Sequence, residues 1–357
     1  MKFTLLQSLI VGTLAQQWRE LSHEPVILYA PGFLSELEVE QLLLLGASNA
    51  SGGLRPSGTT NSETGRTSFV RAGADHSVPF RVSQTLILGS PRLAAFFEPL
   101  QHRIRQHVVQ QLGKWFGHGR AGLADHGTGF DVTQSLRAEP LQLQRYEPDP
   151  PQLAATETTA RAGAEPSRAA HGGYYALHND VMQGIGRRAT VMLYLTTHGQ
   201  AAGRLDNGAG FANGAGATVF ARARPRVATE HTLAPASRRL PLQFDQWSSA
   251  EFAPGARAAK TMRFQNGRDA LALLNRLCTM PTGALNGTLL KVAPERGAAL
   301  MFFPAVLAQN ATPMLPLRRE SRPATVRCDI PDPRALHGSC PLAAGDQAKW
   351  VALQWFA

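Results

Sequence analysis

The chain has 357 residues, 43% of them hydrophobic, and a formal net charge of +10. That is enough apolar material for one sizeable domain or two small ones, and no stretch reaches the roughly 18 uncharged apolar residues of a membrane span, so no stable span is expected. The charge comes mostly from scattered arginines, with no zinc-finger or RNA-binding motif; nucleic acid is therefore not an expected partner, and the surplus reads as a basic surface with a modest pull on acidic partners.

Met1-Lys2 is followed by the largely apolar run Phe3 to Leu14 and then Ala15. Residues 1–15 resemble a short signal peptide cut near Ala15; Gln7 and Ser8 interrupt the run, which also suits a first amphipathic helix. Asn49-Ala-Ser, Asn286-Gly-Thr and Asn310-Ala-Thr are glycosylation sequons. Together with the leader they point to the secretory pathway or endoplasmic reticulum. The cysteines are Cys278, Cys328 and Cys340, which make no zinc pattern. In an oxidising compartment Cys278–Cys328 or Cys328–Cys340 is the expected pair, with one thiol left over.

Val26-Ile-Leu-Tyr-Ala predicts a strand, turned by Pro31-Gly32. Ser35 and Glu38 form a capping box that opens a helix through Leu45. Asn49 to Gly65 is rich in Ser, Thr and Gly and reads as a loop. Ser90-Pro91 opens helix again, with Leu93, Phe96, Phe97, Leu100, Ile104, Val108 and Leu112 near helical spacing. Pro99 is expected to kink or divide it. The first third is thus predicted to be an N-terminal helical layer.

From Leu141 the period changes. Leu141-Gln-Leu-Gln-Arg-Tyr146 alternates like a half-buried strand. Ala189 to Leu195 predicts a strand buried on both faces, and Ala217 to Phe220, Leu289 to Val292, Ala299 to Phe303 and Trp350 to Phe356 predict further strands. Helices followed by short strands indicate an α+β domain with a β-sandwich or jelly-roll core. Residues 148–173, 199–216 and 222–286 read as insertions in that core, with a helix expected over Asp269 to Leu277.

The chemistry lies in Tyr175-Ala-Leu-His178-Asn-Asp180, in Leu336-His337-Gly-Ser-Cys340-Pro341 and in Lys349. Side chains two apart on an extended segment point to the same side, so His178 and Asp180 can hold one metal together. His337 completes a two-histidine, one-carboxylate facial triad that leaves half of an octahedron open. Iron(II), the ion such a triad suits, would take a co-substrate and dioxygen there. Lys349, on a later apolar run, is positioned to meet the far carboxylate of a dicarboxylate co-substrate.

Seven segments follow in order: Leu141 to Tyr146, Tyr175 to Asp180, Arg187 to Leu195, Gly216-Ala-Thr-Val-Phe220, Val292 to Gly297, Asp332 to Pro341 and Lys349 to Trp355. The series resembles the catalytic domain of the prolyl 4-hydroxylase alpha-subunit family. Phe33-Leu34-Ser35 and Arg66-Thr67-Ser68 resemble the plant and algal type more than the animal collagen type. The likeness runs over residues 22–357 apart from the insertions. It implies a double-stranded β-helix (jelly-roll) fold and dependence on Fe(II), 2-oxoglutarate, dioxygen and L-ascorbate. It implies that His178, Asp180 and His337 bind the iron and that Lys349 pairs with the C5 carboxylate of 2-oxoglutarate. Tyr146 and Thr190 lie on strands expected to line the co-substrate pocket, where each hydroxyl can donate. Tyr175 and Trp355 are candidate pocket walls.

Several positions depart from the family pattern. Ala215 replaces the first of a Gly-Gly pair, Ala221 a proline, and Ala298 an acidic residue. Asp346-Gln-Ala lengthens the path from His337 to Lys349, so a bulge must keep the lysine facing inward. The expected reaction is hydroxylation of peptidyl proline in a proline-rich protein. A same-fold hydroxylase acting on lysine or a small molecule, or a non-catalytic binding protein, are the rival expectations. Residues 148–173 are expected to cover the substrate groove.

Overall fold

A computed structural model describes residues 17–48, 53–57, 59–60, 67–68, 81–117, 136–148, 172–181, 187–198, 214–223, 267–281, 284, 289–304, 332–342 and 345–357. The leader, the three sequon asparagines, Cys328, and residues 149–171, 199–213 and 224–266 of the expected insertions lie outside the described residues.

The strands, in chain order, are β1 (Arg19–His23), β2 (Val26–Ala30), β3 (Arg55–Pro56), β4 (Thr59–Thr60), β5 (Thr67–Ser68), β6 (Arg81–Val82), β7 (Gln84–Ile87), β8 (Gln142–Tyr146), β9 (Tyr174–His178), β10 (Ala189–Tyr194), β11 (Thr218–Phe220), β12 (Leu290–Val292), β13 (Ala299–Phe302), β14 (His337–Ser339) and β15 (Lys349–Phe356). The helices are α1 (Glu36–Ala47), α2 (Pro91–Phe96), α3 (Glu98–Leu112) and α4 (Gly267–Thr279). A larger sheet runs β1-β2-β13-β10-β15-β8-β7-β3 and a smaller one β12-β11-β14-β9-β6. Each pairing within them is antiparallel. Two facing antiparallel sheets make a jelly-roll-like core.

Alternation along the strands sorts side chains between layers. On β10, Met192 and Tyr194 point between the sheets, whereas Val191 and Leu193 point outward. The inner layer also takes Tyr29, Tyr146, Phe302, Leu353 and Trp355 from the larger sheet and Phe220, Leu290 and Val292 from the smaller. The outer face of the larger sheet packs Leu28, Val191, Leu193 and Met301 against Val39 and Leu42 of α1 and Leu100, Ile104 and Val108 of α3. Each fully buried aliphatic of this kind contributes about 1.5–3 kcal/mol.

Local chemistry explains the helix ends. Ser35 Oγ accepts from the Glu38 amide at 3.3 Å, and the Ser35 amide donates to Glu38 Oε2 at 2.8 Å, as the capping box requires. Pro99 divides the second helical run rather than kinking it: α2 ends before Phe97, and Pro99 sits in the first turn of α3, where its missing N–H costs nothing. Gly267–Thr279 is helical, two residues longer at each end than expected.

Two expectations need correction. The first third is not purely helical, because it supplies β1 to β7, two of which (β3 and β4) fall in the expected loop before Gly65. β3 forms an edge of the larger sheet and β4 pairs with β5 in a separate two-stranded ladder, pairings that short polar segments do not advertise. The disulfide joins Cys278 to Cys340, not either pair expected. The C-terminal end of α4 is brought against the residues after β14, a proximity that spacing alone does not reveal. Buried Lys291 fastens the same corner, donating to the Cys278 carbonyl at 2.5 Å.

Candidate metal centre

His178 ends β9 and stands directly opposite His337, the first residue of β14. Residues paired across an antiparallel ladder share a face, so both imidazoles enter the inter-sheet layer. A bulge lies just beside them: His337 pairs with His178, yet Ser339 pairs with Tyr175. The extra residue on β9 breaks the alternation and turns Tyr175 to the same side as His178, where their rings stack at 3.6 Å. Behind β14, Gly338 allows a close approach. A Cβ there would lie 2.9 Å from both Leu274 Cδ1 of α4 and the Tyr175 carbonyl.

Asp180 lies beyond the end of β9, in a bend, so strand alternation does not bring it to His178. The turn does. His178 Nε2 lies 3.5 Å from Asp180 Oδ1 and His337 Nε2 lies 3.7 Å from Asp180 Oδ2. One ligand atom from each of the three residues falls within 4.8 Å of the others. His178 Nδ1 contacts the Ala176 carbonyl at 2.8 Å and His337 Nδ1 the Ala335 carbonyl at 3.0 Å. A carbonyl only accepts, so each Nδ1 carries the proton and each Nε2 presents its lone pair to the cluster.

The charges are set to match. Burial alone would raise the Asp180 carboxyl, but His337, His178 and Arg187 outweigh it and hold the group well below the usual carboxylate range. Burial, then the neighbouring His178, lowers His337 to about 4 against the opposing pull of Asp180. An ionised carboxylate and a neutral imidazole are the forms a metal binds. Asp180 and His337 are buried, whereas 18% of the His178 side chain is exposed, so the cluster opens on the His178 side.

Thr190, expected to face the co-substrate, instead donates to Asp180 Oδ2 at 2.7 Å. It stands on β10 and orients the carboxylate. Arg187 completes the support. It grips both oxygens of Glu139 at 2.5 and 2.8 Å, reaches the Asp180 carbonyl at 3.4 Å, and lies 4.2 Å from the Trp355 ring centre.

Lys349 opens β15, opposite Tyr146 on β8, and points inward with 1% exposure. In the turn before it, Gly345 has a left-handed backbone with φ +89°. Lys349 Nζ donates to the Gly216 carbonyl at 2.6 Å and to Ser339 Oγ at 2.8 Å. Burial drives the amine down to about 7. Gly216, whose carbonyl accepts from the lysine, takes the left-handed backbone that glycine adopts freely, with φ +69°. The Tyr146 hydroxyl donates to Gln144 at 2.9 Å, and burial pushes it up to about 12, so it stays a donor.

A narrow cavity of about 20 Å³ is lined by Tyr146, Tyr175, the triad, and Ser339, with Trp355 among its walls. Trp355 Nε1 is buried without a hydrogen-bond partner among the described residues. Arg81, on β6, lies 4.7 Å from the Tyr175 ring centre and donates to Ser83 Oγ at 2.7 Å. The sequence reading missed Arg81, Ser339 and Glu139 as site residues. Only Ser339 carried a local signal, sitting two positions after His337 on the same strand face.

No protein-family model matches the chain, and no curated protein matches it. Among solved structures it is similar to a viral collagen prolyl hydroxylase from Paramecium bursaria Chlorella virus-1, with 14% identity and a TM-score of 0.37 over 92% of this chain and 94% of that one. It is similar to a prolyl-4-hydroxylase from Pseudomonas putida, with 11% identity and a TM-score of 0.37 over 96% and 94%. It is also similar to HygX from Streptomyces hygroscopicus, with nickel and 2-oxoglutarate bound, at 10% identity and a TM-score of 0.35 over 94% and 84%. These likenesses are too slight to assign family or activity, and the side chains of the site carry the functional reading.

Proposed function

We propose that the chain is a 2-oxoglutarate- and iron(II)-dependent dioxygenase that hydroxylates peptidyl proline. One observation carries the reading: His178, Asp180 and His337 converge with both imidazole Nε2 atoms free to ligate and the carboxylate ionised. Two imidazoles and one carboxylate suit iron(II) and leave positions open for small ligands. When bound, iron(II) supplies oxygen activation coupled to oxidative decarboxylation of 2-oxoglutarate.

The residues of the chain supply the rest. Lys349, held by Gly216 and Ser339, offers a buried cation to the far carboxylate of a dicarboxylate. Its partners are neutral acceptors, so an incoming carboxylate would be its only anionic partner among the described contacts. Trp355 lines the cavity beside the triad, and its buried Nε1 is an unused donor among the described residues. The surrounding apolar layer excludes water. The peptidyl-proline part of the reading rests on the family that the ordered motif series resembles; an extended polyproline segment would enter a groove at low entropic cost. L-ascorbate dependence follows from the same resemblance. The leader-like start, the sequons and the Cys278–Cys340 disulfide favour the endoplasmic reticulum or secretory pathway.

The test is succinate formation from 2-oxoglutarate with Fe(II) and ascorbate, against proline-rich peptides, lysine-containing peptides and free amino acids. Stimulation by proline-rich peptides with hydroxyproline in the product is expected. Stimulation confined to another arm would overturn the proline assignment, and no turnover in any arm would overturn the enzyme assignment.

A further inference from the structure

Asn179 sits between two of the triad residues, and its side chain points away from the triad toward the segment that leads into the third. Its Nδ2 donates to the Asp332 carbonyl at 2.8 Å and to the Pro304 carbonyl at 3.3 Å. Its Oδ1 accepts from the Val181 amide at 2.9 Å, which closes the bend that carries Asp180. The Asp332 carbonyl is a shared acceptor, because the Ala335 amide also donates to it at 3.0 Å and so shapes the short 3-10 turn Pro333–Ala335. The Ala335 carbonyl in turn accepts from His337 Nδ1. Asp332 is itself anchored: its amide donates to Pro304, and its carboxylate takes the Arg334 amide and guanidinium at 2.9–3.0 Å.

These contacts form one continuous chain, from the His178–Asp180 bend through the Asn179 carboxamide, the Asp332 carbonyl and the Ala335 carbonyl to the His337 ring. We infer that Asn179 is a positioning residue that fixes the early ligand pair against the late histidine, so that the three ligand atoms meet in one geometry. This inference rests on the metal-site reading above. The physical need is specific. His178 and Asp180 are 157 to 159 residues from His337 in sequence, so their mutual placement depends on tertiary contacts. The β9–β14 ladder joins the two histidines but is irregular beside them, and Asp180 lies outside it. A carboxamide alone among side chains of this size donates two hydrogens and accepts on the neighbouring oxygen, which is what two carbonyls and one amide demand here.

The test uses the full chain with Co(II) as a spectroscopic stand-in. Asn179→Ala is compared with the parent, with His178→Ala and with Asn179→Asp. The aspartate keeps the acceptor toward Val181 but sets an oxygen against the two carbonyls. Expected are a Co(II) affinity lowered roughly 10- to 100-fold in both Asn179 variants, as for other outer partners of metal ligands, an altered ligand-field spectrum, and a metal-free melting temperature near that of the parent. Should the alanine variant unfold, the aspartate variant decides. Parent-like Co(II) affinity and spectrum in a folded Asn179 variant, with binding abolished in His178→Ala, would overturn the role of Asn179 and leave the metal site standing. Co(II) binding that is unaffected by His178→Ala would overturn both.

Discussion

His178 and His337 face each other across the β9–β14 ladder with ring centres 4.3 Å apart, although 158 residues separate them along the chain. Neither ring is paired with the other. Each donates from Nδ1 to a backbone carbonyl two residues before it, so both turn the same nitrogen toward Asp180. The metal-site reading depends on that shared orientation.

Replacing any one of His178, Asp180 or His337 with Ala should abolish Fe(II) binding and turnover. The loss should exceed roughly a hundredfold, the upper end of what losing a mere outer partner costs. Circular dichroism should stay near that of the parent, because the sheets are held by apolar layers on either side of the site. Metal titration and succinate release check this; full activity in one variant removes that residue from the ligand set.

Thr190→Val should weaken metal binding about 10- to 100-fold, because Asp180 Oδ2 loses its buried donor at 2.7 Å. Thr190→Ser should recover most of that loss. A rise in the Michaelis constant for 2-oxoglutarate with unchanged metal affinity would return Thr190 to the co-substrate pocket, where the sequence placed it.

Lys349→Met, which keeps the volume and removes the charge, should raise the 2-oxoglutarate Michaelis constant far more than the Fe(II) requirement. Losing one partner of a buried pair costs about 3–5 kcal/mol. An unchanged constant means that the lysine does not meet the co-substrate.

The Lys349 amine also sets a pH dependence. Burial lowers it from 10.5 to about 7. Below pH 7 it is protonated in folded and unfolded chains alike, and the cost of burying charge is fully present. Between about pH 7 and 10.5 the unfolded chain binds more protons than the folded one, so this group makes stability rise with pH across that window. A dicarboxylate bound to the charged amine should therefore take up a proton at pH 8. Calorimetry in two buffers of different ionisation heat measures it, and no uptake would sink the pairing.

Cys278→Ser with Cys340→Ser should lower the unfolding free energy by about 4 kcal/mol, from the chain entropy of closing a loop with a sequence separation of 62. Chemical denaturation measures the change, and peptide mapping without reductant checks the pairing. A fragment linking Cys328 to either residue contradicts it.

The sequence by itself determined much of the site. The residue types of the proposed site, the run that carries Lys349 and most of the core strands were legible, because residue identity and apolar alternation are local properties. The capping box at Ser35 and the break at Pro99 were legible for the same reason. The tertiary structure decided the rest. It joined Cys278 to Cys340, because only folding brings the end of α4 to β14. It turned Thr190 onto Asp180, because the hydroxyl of a strand residue goes to whatever acceptor the neighbouring loop delivers. It drew Glu139, Arg187 and Asn179 into service behind the ligands. A supporting hydrogen bond depends on where backbone carbonyls from distant segments come to rest, and no local pattern of residues records that.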